Sequence, residues 1–313
     1  MRRILLTTDG SDFALSSARY LSQLYKDAPD LEVTVLNILP SIPPLYREGR
    51  HDPQIRKSYA EWKKKRTEQA KKYIEETIQI LLRGGFKKSH IHAKHHAQVV
   101  GVARDIIREA DAGSYDACVI AKKGMGWFDD MFLGSITNKI LEISENHPIW
   151  VVSGNEWNSR KVLVAMDKTP RAVQLVRYVG EMLRDLEGVH ITLYHYCPPF
   201  SEDLTRDEEE KLSLIERQMV EQDKEEMSHF FDEAQKVLED LGYDKGAVKT
   251  YFDFSKSASI RKTSQAIIKQ VRKGKYGTLV IGRKGSTEAR EFRLGSVVLR
   301  TIRKIENCSV WVV

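Results

Sequence analysis

Ala121-Lys-Lys-Gly124, nine further residues, then Gly134-Ser135: this stretch, which follows the apolar run Ala117–Ile120, decides the fold because it is written twice. The second copy reads Gly282-Arg-Lys-Gly285, again nine residues, then Gly295-Ser296, and it follows Thr278–Ile281. A strand-like segment with Trp at the same place closes each copy, Pro148-Ile-Trp150-Val-Val152 and Ser309-Val-Trp311-Val-Val313. From Gly124 to Gly285, Gly134 to Gly295 and Trp150 to Trp311 the offset is always 161. The front ends repeat too: Arg3-Ile-Leu-Leu-Thr-Thr-Asp9 answers Lys161-Val-Leu-Val-Ala-Met-Asp167 at an offset of 158. A period of about 150 residues is far too long for a solenoid, so the repeat means duplicated domains. The expected division is a first domain over 1–153, a polar linker over 154–159 and a second domain over 160–313.

Composition narrows the function classes. A chain of 313 residues with 41% apolar and 30% charged content is long enough for two domains with cores of their own. No apolar stretch approaches the length that spans a bilayer, and Met1-Arg-Arg leads straight into strand residues, so a cytosolic (cytoplasmic) protein is expected. The net charge of +6 arises from 50 basic residues interleaved with 44 acidic ones, mostly in helical patterns. No basic block carries interleaved aromatics, which argues against nucleic acid as a partner. Three cysteines (Cys118, Cys197, Cys308) offer neither a disulfide framework nor metal-type spacing, and Cys118 and Cys308 read as buried, inert thiols.

Strand and helix patterns alternate through each half. In the first, strands are expected at Ile4–Thr8, Leu31–Leu39, His90–His96, Tyr115–Ala121 and Trp150–Ser153. Between them fall helices from Ser11 to Tyr25, Ile55 to Leu82, Val99 to Ala112 and Ser135 to Ser144, with a Pro-rich connection before the second. The second half repeats the order, with strands near 161–166, 189–195, 247–252, 277–281 and 309–313 and helices near 170–186, 206–241, 258–274 and 295–305. Such alternation predicts α/β domains, each a doubly wound, five-stranded parallel sheet. The terminal strands are apolar on both faces, and pairing Trp150 and Trp311 strands into an intramolecular pseudo-dimer would cover their edges.

The glycine pattern makes sense as a phosphate cradle. Glycines after a parallel strand let backbone approach a ligand, and Gly134-Ser135 and Gly295-Ser296 open helices, where N–H groups and the macrodipole favour an anion. Lys122, Lys123, Arg283 and Lys284 stand inside the loops to neutralise charge, and Asp9 and Asp167 end the first strands on the ligand's other side. Alternatively, these glycines serve only turns and close helix–sheet packing.

With Asp at the end of strand one, Gly-x2-Gly-x9-Gly-Ser resembles the universal stress protein family, and the chain is similar to its tandem form over essentially its whole length. The resemblance implies a fold of the adenine nucleotide alpha hydrolase type. It further implies ATP, ADP or AMP as ligand, at most weak ATPase activity, dimerisation through the last strand, and a stress-response role with an unidentified protein partner. In the first half the implied nucleotide-binding residues are Thr8, Asp9, Ile38, Ala121, Lys123, Gly124, Gly134, Ser135, Ile136 and Thr137. In the second half they are Met166, Asp167, Tyr196, Gly282, Lys284, Gly285, Gly295, Ser296, Val297 and Val298. Each half departs from the pattern once. Ala121 replaces the first glycine, and its methyl either crowds the ribose or is harmless, depending on φ. Tyr196 replaces a small aliphatic residue, and either stacks on adenine or fills its pocket. At least one functional nucleotide site is expected, with a slight preference for the first half; decayed sites on a ligand-free interaction scaffold are the alternative.

Other constellations are weaker. Strand alternation puts His90, His92 and His96 on one face and His95 on the other, which suits either solvated histidines or a zinc ion. Asp129-Asp130 suits Mg²⁺ beside phosphates or plain exposure. The charge runs of the two long helices read as solvated faces rather than docking surfaces. No Ser-His-Asp or Cys-His arrangement can be assembled, so covalent catalysis is not expected.

Overall fold

The computed structural model describes residues 1–26, 30–49, 51–123, 133–154, 157, 160–198, 206–254, 263–284 and 294–313, with the side chains of the helix beginning at Arg206 described from Ile215 onward. The chain forms two compact units, Met1–Asn155 and Glu156–Val313.

The first unit runs β1 (Arg2–Thr7), α1 (Asp12–Leu24), β2 (Leu31–Leu39), α2 (Pro44–Glu48), α3 (Pro53–Arg83), β3 (Ile91–Ala97), α4 (Val102–Gly113), β4 (Ala117–Ala121), α5 (Ser135–Ile143) and β5 (Ile149–Val152). Its strands are parallel in the order β3-β2-β1-β4-β5. Ile4, Leu5 and Leu6 are all fully buried although successive side chains point to opposite faces, so helices cover β1 on both sides.

The second unit runs β6 (Lys161–Ala165), α6 (Pro170–Met182), β7 (His190–Cys197), α7 (Arg206–Asp240), β8 (Val248–Phe254), α8 (Thr263–Gly274), β9 (Thr278–Ile281), α9 (Ser296–Lys304) and β10 (Ser309–Val312). Its strands are again parallel, in the order β10-β9-β6-β7-β8. The expected doubly wound architecture is present in both units.

The two tryptophans do equivalent work in their own units. Trp150 stacks on Tyr25 at the end of α1, with ring centroids 6.4 Å apart, and Trp311 meets Tyr178 of α6 edge-on, also at 6.4 Å. Each ring pins the last strand to the first helix of its unit. All three cysteines are buried and unbridged. Burial alone pushes the Cys118 thiol up to about 12. Among the described residues, no helix is long and apolar enough to cross a membrane.

Element boundaries moved where local chemistry competed with periodicity. The long first-unit helix begins at Pro53, not Ile55, because the Asp52 side chain caps it by accepting from the Gln54 and Ile55 amides, with Pro in the first turn. Helix α4 starts at Val102 rather than Val99, since the Asp105 carboxylate gathers the amides of Val99, Val100 and Gly101 into a turn ahead of it. The Pro-rich connection holds a short helix, α2, with Pro44 at its start. His90 falls in a single 3-10 turn, not in β3, so it does not share the alternation of His92 and His96. The expected helical segment 258–262 lies outside the described residues.

Candidate nucleotide site

Strand order reverses between β1 and β4 in the first unit, and a crevice opens beyond the carboxyl ends of the strands there. It holds a cavity of about 230 Å³. Thr8 and Asp9 reach it from the end of β1, Ile38 from β2, Ala121 and Lys123 from β4 and the residues after it, and Gly134, Ser135, Ile136 and Thr137 from the start of α5. Nine of the ten residues expected in this half therefore line one space; the tenth, Gly124, lies outside the described residues, as do Asp129 and Asp130.

Why these side chains converge can be followed bond by bond. After β1 the chain turns at Gly10, whose φ of +77° a residue with a Cβ rarely adopts; a Cβ there would also collide with the Tyr73 ring of α3. The turn is fixed by Asp9, whose Oδ1 accepts from the Ser11 amide (3.0 Å) and hydroxyl (2.6 Å), while Ser11 in turn caps α1 through the Ala14 amide. Beneath it, the Asn37 side chain donates to the Thr8 carbonyl at 2.7 Å, and Thr77 of α3 donates to the Thr8 hydroxyl at 3.0 Å. Asn37, the one amide in Leu31–Leu39, thus anchors the rim; its signal in the sequence is a polar residue in an otherwise apolar strand end.

On the opposite wall, the Gly134 amide donates to the Lys122 carbonyl at 3.0 Å and the Thr137 hydroxyl to the Ala121 carbonyl at 2.8 Å, which clamps the first turn of α5 to the end of β4. Gly134 caps α5 with extended backbone (φ −56°, ψ 144°) and no side-chain hydrogen bond, so the first-turn amides face the cavity without a capping oxygen from that residue. Lys123 is only 5% exposed; its ammonium lies 5.8 Å from the centre of the Phe13 ring. Lys122 is also buried, and its backbone carbonyl supplies the clamp.

The second unit builds the same rim from different residues. Asp167 Oδ1 accepts from the Thr169 hydroxyl at 2.6 Å, as Asp9 does from Ser11. His195 stands 158 positions after Asn37 and bonds the Met166 carbonyl through Nδ1 at 2.9 Å, as Asn37 bonds Thr8. Its Nε2 meets Asp223 of α7 at 2.9 Å. Where the first unit has Gly10 the second has Lys168, whose ammonium reaches Asp223 at 2.7 Å and Glu226 at 2.6 Å. Burial alone would raise the Asp223 carboxyl, but the bond from Lys168 and the charge and bond of His195 hold it below the ordinary range. Neither His195 nor Lys168 stood out in the sequence; the repeat offset was the signal that could have found both.

Around this clamp the remaining second-unit candidates separate. Tyr196, the counterpart of Ile38, is 5% exposed, and burial first, then the nearby Asp253 charge, raises its phenol. Gly295 caps α9 and donates to the Arg283 carbonyl at 3.0 Å, so the glycine clamp recurs. Ser296 and Lys284 are exposed, Val298 is buried, and Val297, Gly282 and Asp167 are intermediate. Gly285 lies outside the described residues. Among the described residues, a Cβ on Gly282 would meet the Lys284 carbonyl at 3.5 Å, an ordinary contact; the matching position of the first unit carries the Ala121 methyl at the end of β4.

Two histidines of β3 lie against carboxylates. His96 and Lys94 share Glu109 of α4 at 2.9 and 2.6 Å, and His92 lies 4.0 Å from Glu32. Among the described residues, no three His, Cys, Asp or Glu side chains form a group able to hold a metal ion.

A parallel, doubly wound sheet with a glycine-capped helix at its switch point defines the class of α/β domain to which each unit belongs. The model of the universal stress protein family matches residues 1–153 and again 158–313, and the chain belongs to that family. Among solved structures, it is similar to a universal stress protein from Archaeoglobus fulgidus DSM 4304 at 20% identity, covering 99% of this chain and 97% of that one with a TM-score of 0.63. A functionally unknown protein from Pseudomonas aeruginosa PAO1 is 12% identical, covering 100% and 92% with a TM-score of 0.55. A universal stress protein solved in complex with cAMP is 15% identical and covers 48% of this chain and 96% of its own, with a TM-score of 0.34. No curated protein matches the chain.

Proposed function

We propose that the first unit binds ATP or a related adenine nucleotide, and that occupancy makes the chain a nucleotide-responsive regulatory protein. The observation that carries this reading is the cavity at the β1/β4 switch point, bounded on one side by Asp9 and Ile38 and on the other by the glycine-capped first turn of α5. The arrangement suits a molecule with a flat apolar end and an anionic end. Ile38, Ile106 and Ile120 offer apolar surface, Asp9 an acceptor for hydroxyls, and Ser135, Ile136 and Thr137 amides for phosphate. Lys123, on the wall between them, adds positive charge.

In the second unit the reading assigns no nucleotide. Tyr196 is buried where Ile38 lines the cavity, and the rim is tied to α7 through His195, Asp223 and Lys168. That unit is the ligand-free half, which confines the scaffold alternative to one domain. Hydrolysis is assigned to neither, beyond a weak background rate.

Titration calorimetry of the full chain with ATP, ADP and AMP tests the reading. One site per chain, lost in Asp9→Ala and retained in Asp167→Ala, is the expected result. No heat with any adenine nucleotide, or two equal sites, would overturn it.

A further inference from the structure

The two units carry equivalent long helices of opposite charge. Buried positions in α3 are Ala70, Ile74, Thr77 and Leu81, and α7 repeats that spacing at Met227, Phe231, Ala234 and Leu238, with Val237 buried in addition. The register of the pair is thus set by burial, at an offset of 157. Yet α3 contains nine Lys or Arg and four Asp or Glu, a net +5, whereas α7 contains five and thirteen, a net −8. Duplicated helices that need only a solvated face have no physical reason to diverge in opposite directions.

Both helices carry an N-terminal overhang in which no described residue is fully buried, met by α2 at Tyr59 and Trp62 of α3 and tied to its unit by Lys168 at Asp223 and Glu226 of α7. No residue from Pro53 to Gln69 is buried, a run that spans about 25 Å at the helical rise. Along it, Tyr59 and Trp62 join Tyr46 of α2 in a half-exposed aromatic cluster with centroids 5.5 to 6.1 Å apart. A shallow groove beside the cluster is lined by Trp62, Lys65, Arg66, Glu68, Gln69 and Lys72, three cations to one carboxylate. In α7, no described residue from Ile215 to Glu226 is buried, and Ile215 and Met219, one turn apart, are 46% and 42% exposed. The basic overhang carries an aromatic patch; the acidic one carries an aliphatic patch.

We infer that the α3 overhang of one molecule docks on the α7 overhang of a second copy of this chain, apolar patch on apolar patch with the charges paired around it. Charge complementarity selects the occupant, since the acidic amphipathic helix that fits the groove is supplied by the chain itself. The contact is heterologous, joining α3 of one copy to α7 of another. It is independent of the nucleotide proposal, and it competes with the solvated-face expectation for these helices.

Sedimentation velocity on the full chain tests it. Association should be strong at ~0.01 M salt, where charges act over about 30 Å, and should vanish near ~1 M, where they act over about 3 Å. The exposed triple variant Lys63→Glu, Lys64→Glu, Lys65→Glu should weaken association at least about tenfold, and so should Glu221→Lys with Glu225→Lys. Mixing the two variants should restore a mixed dimer, because one chain keeps a native α3 and the other a native α7; misfolding of either variant would not produce that rescue. A parent that stays monomeric at every salt concentration overturns the inference. So does an absence of rescue on mixing, or capture of a single-stranded oligonucleotide by α3 without self-association.

Discussion

Replacing Gly134 with Asp separates binding from folding at the candidate site. Its backbone, at φ −56° and ψ 144°, is the extended conformation that aspartate adopts when it caps a helix, and Asp is among the preferred capping residues. A Cβ there would sit 3.3 Å from the Lys122 carbonyl and 3.4 Å from the Lys123 Cα, close enough that neighbours must yield by a few tenths of an ångström. The fold should therefore survive, with a stability change within about 1 kcal/mol. The new carboxylate would occupy the same first-turn amides that the phosphate is proposed to use, and it would repel the phosphate. Two unit charges about 4 Å apart interact by roughly 4 kcal/mol at an effective dielectric of 20. Solvent at the crevice mouth reduces that to about 2–4 kcal/mol, a loss of about thirty- to a thousandfold in affinity. Two controls isolate the cause. Gly134→Ala adds the same Cβ without charge and should weaken binding less than about tenfold, and Gly295→Asp makes the equivalent change in the second unit, where affinity should not move. Calorimetric titration with ATP, beside thermal melts of each variant, gives the answer. If Gly134→Asp binds within about threefold of the parent, phosphate does not use the α5 turn and the site assignment fails.

Tyr196→Ile restores the aliphatic residue that the first unit uses, so calorimetric stoichiometry should rise from one nucleotide to two; an unchanged ratio would place the obstruction in the His195–Asp223–Lys168 clamp instead. Asp105 accepts from three backbone amides, and although burial works to raise its carboxyl, those bonds hold it below the ordinary range. Its stabilisation is complete above the ordinary aspartate pKa of about 3.9 and drains as pH falls through the lowered folded value. Asp105→Ala should thus cost about 2 kcal/mol at neutral pH and flatten the acid limb of the stability curve, read by urea midpoints at several pH values. Trp150→Ala removes a fully buried ring and should destabilise the first unit by about 3–5 kcal/mol in the same assay. The three cysteines, all buried with raised thiols, should react with a thiol reagent only after unfolding; fast labelling of the native chain would contradict their placement.

Most of the fold was legible because it rests on signals that neighbouring residues carry. Apolar runs of strand length, helices opened by Ser11, Gly134 and Gly295, and a repeat at offsets of 158 and 161 together dictate alternating parallel units. The misplaced boundaries were those where a side chain diverted the backbone, as Asp52 and Asp105 do. The exposed run of β3 was read correctly as a strand, but its histidines were weighed as metal ligands because Glu109, which claims His96, comes from another helix.

Sequence alone determined that this chain is two like domains, each with an aspartate after its first strand and a glycine-capped helix before its last, since motif, spacing and hydrophobic pattern all lie along the chain. Only the tertiary structure decided what surrounds each rim. Gly10 admits Tyr73 in one unit, and Lys168 reaches Asp223 in the other; Asn37 and His195 hold equivalent carbonyls with different consequences. The physical reason is that a rim is assembled where the ends of separate strands meet a distant helix. Whether space is left there depends on side chains that have no neighbour relation until the chain has folded.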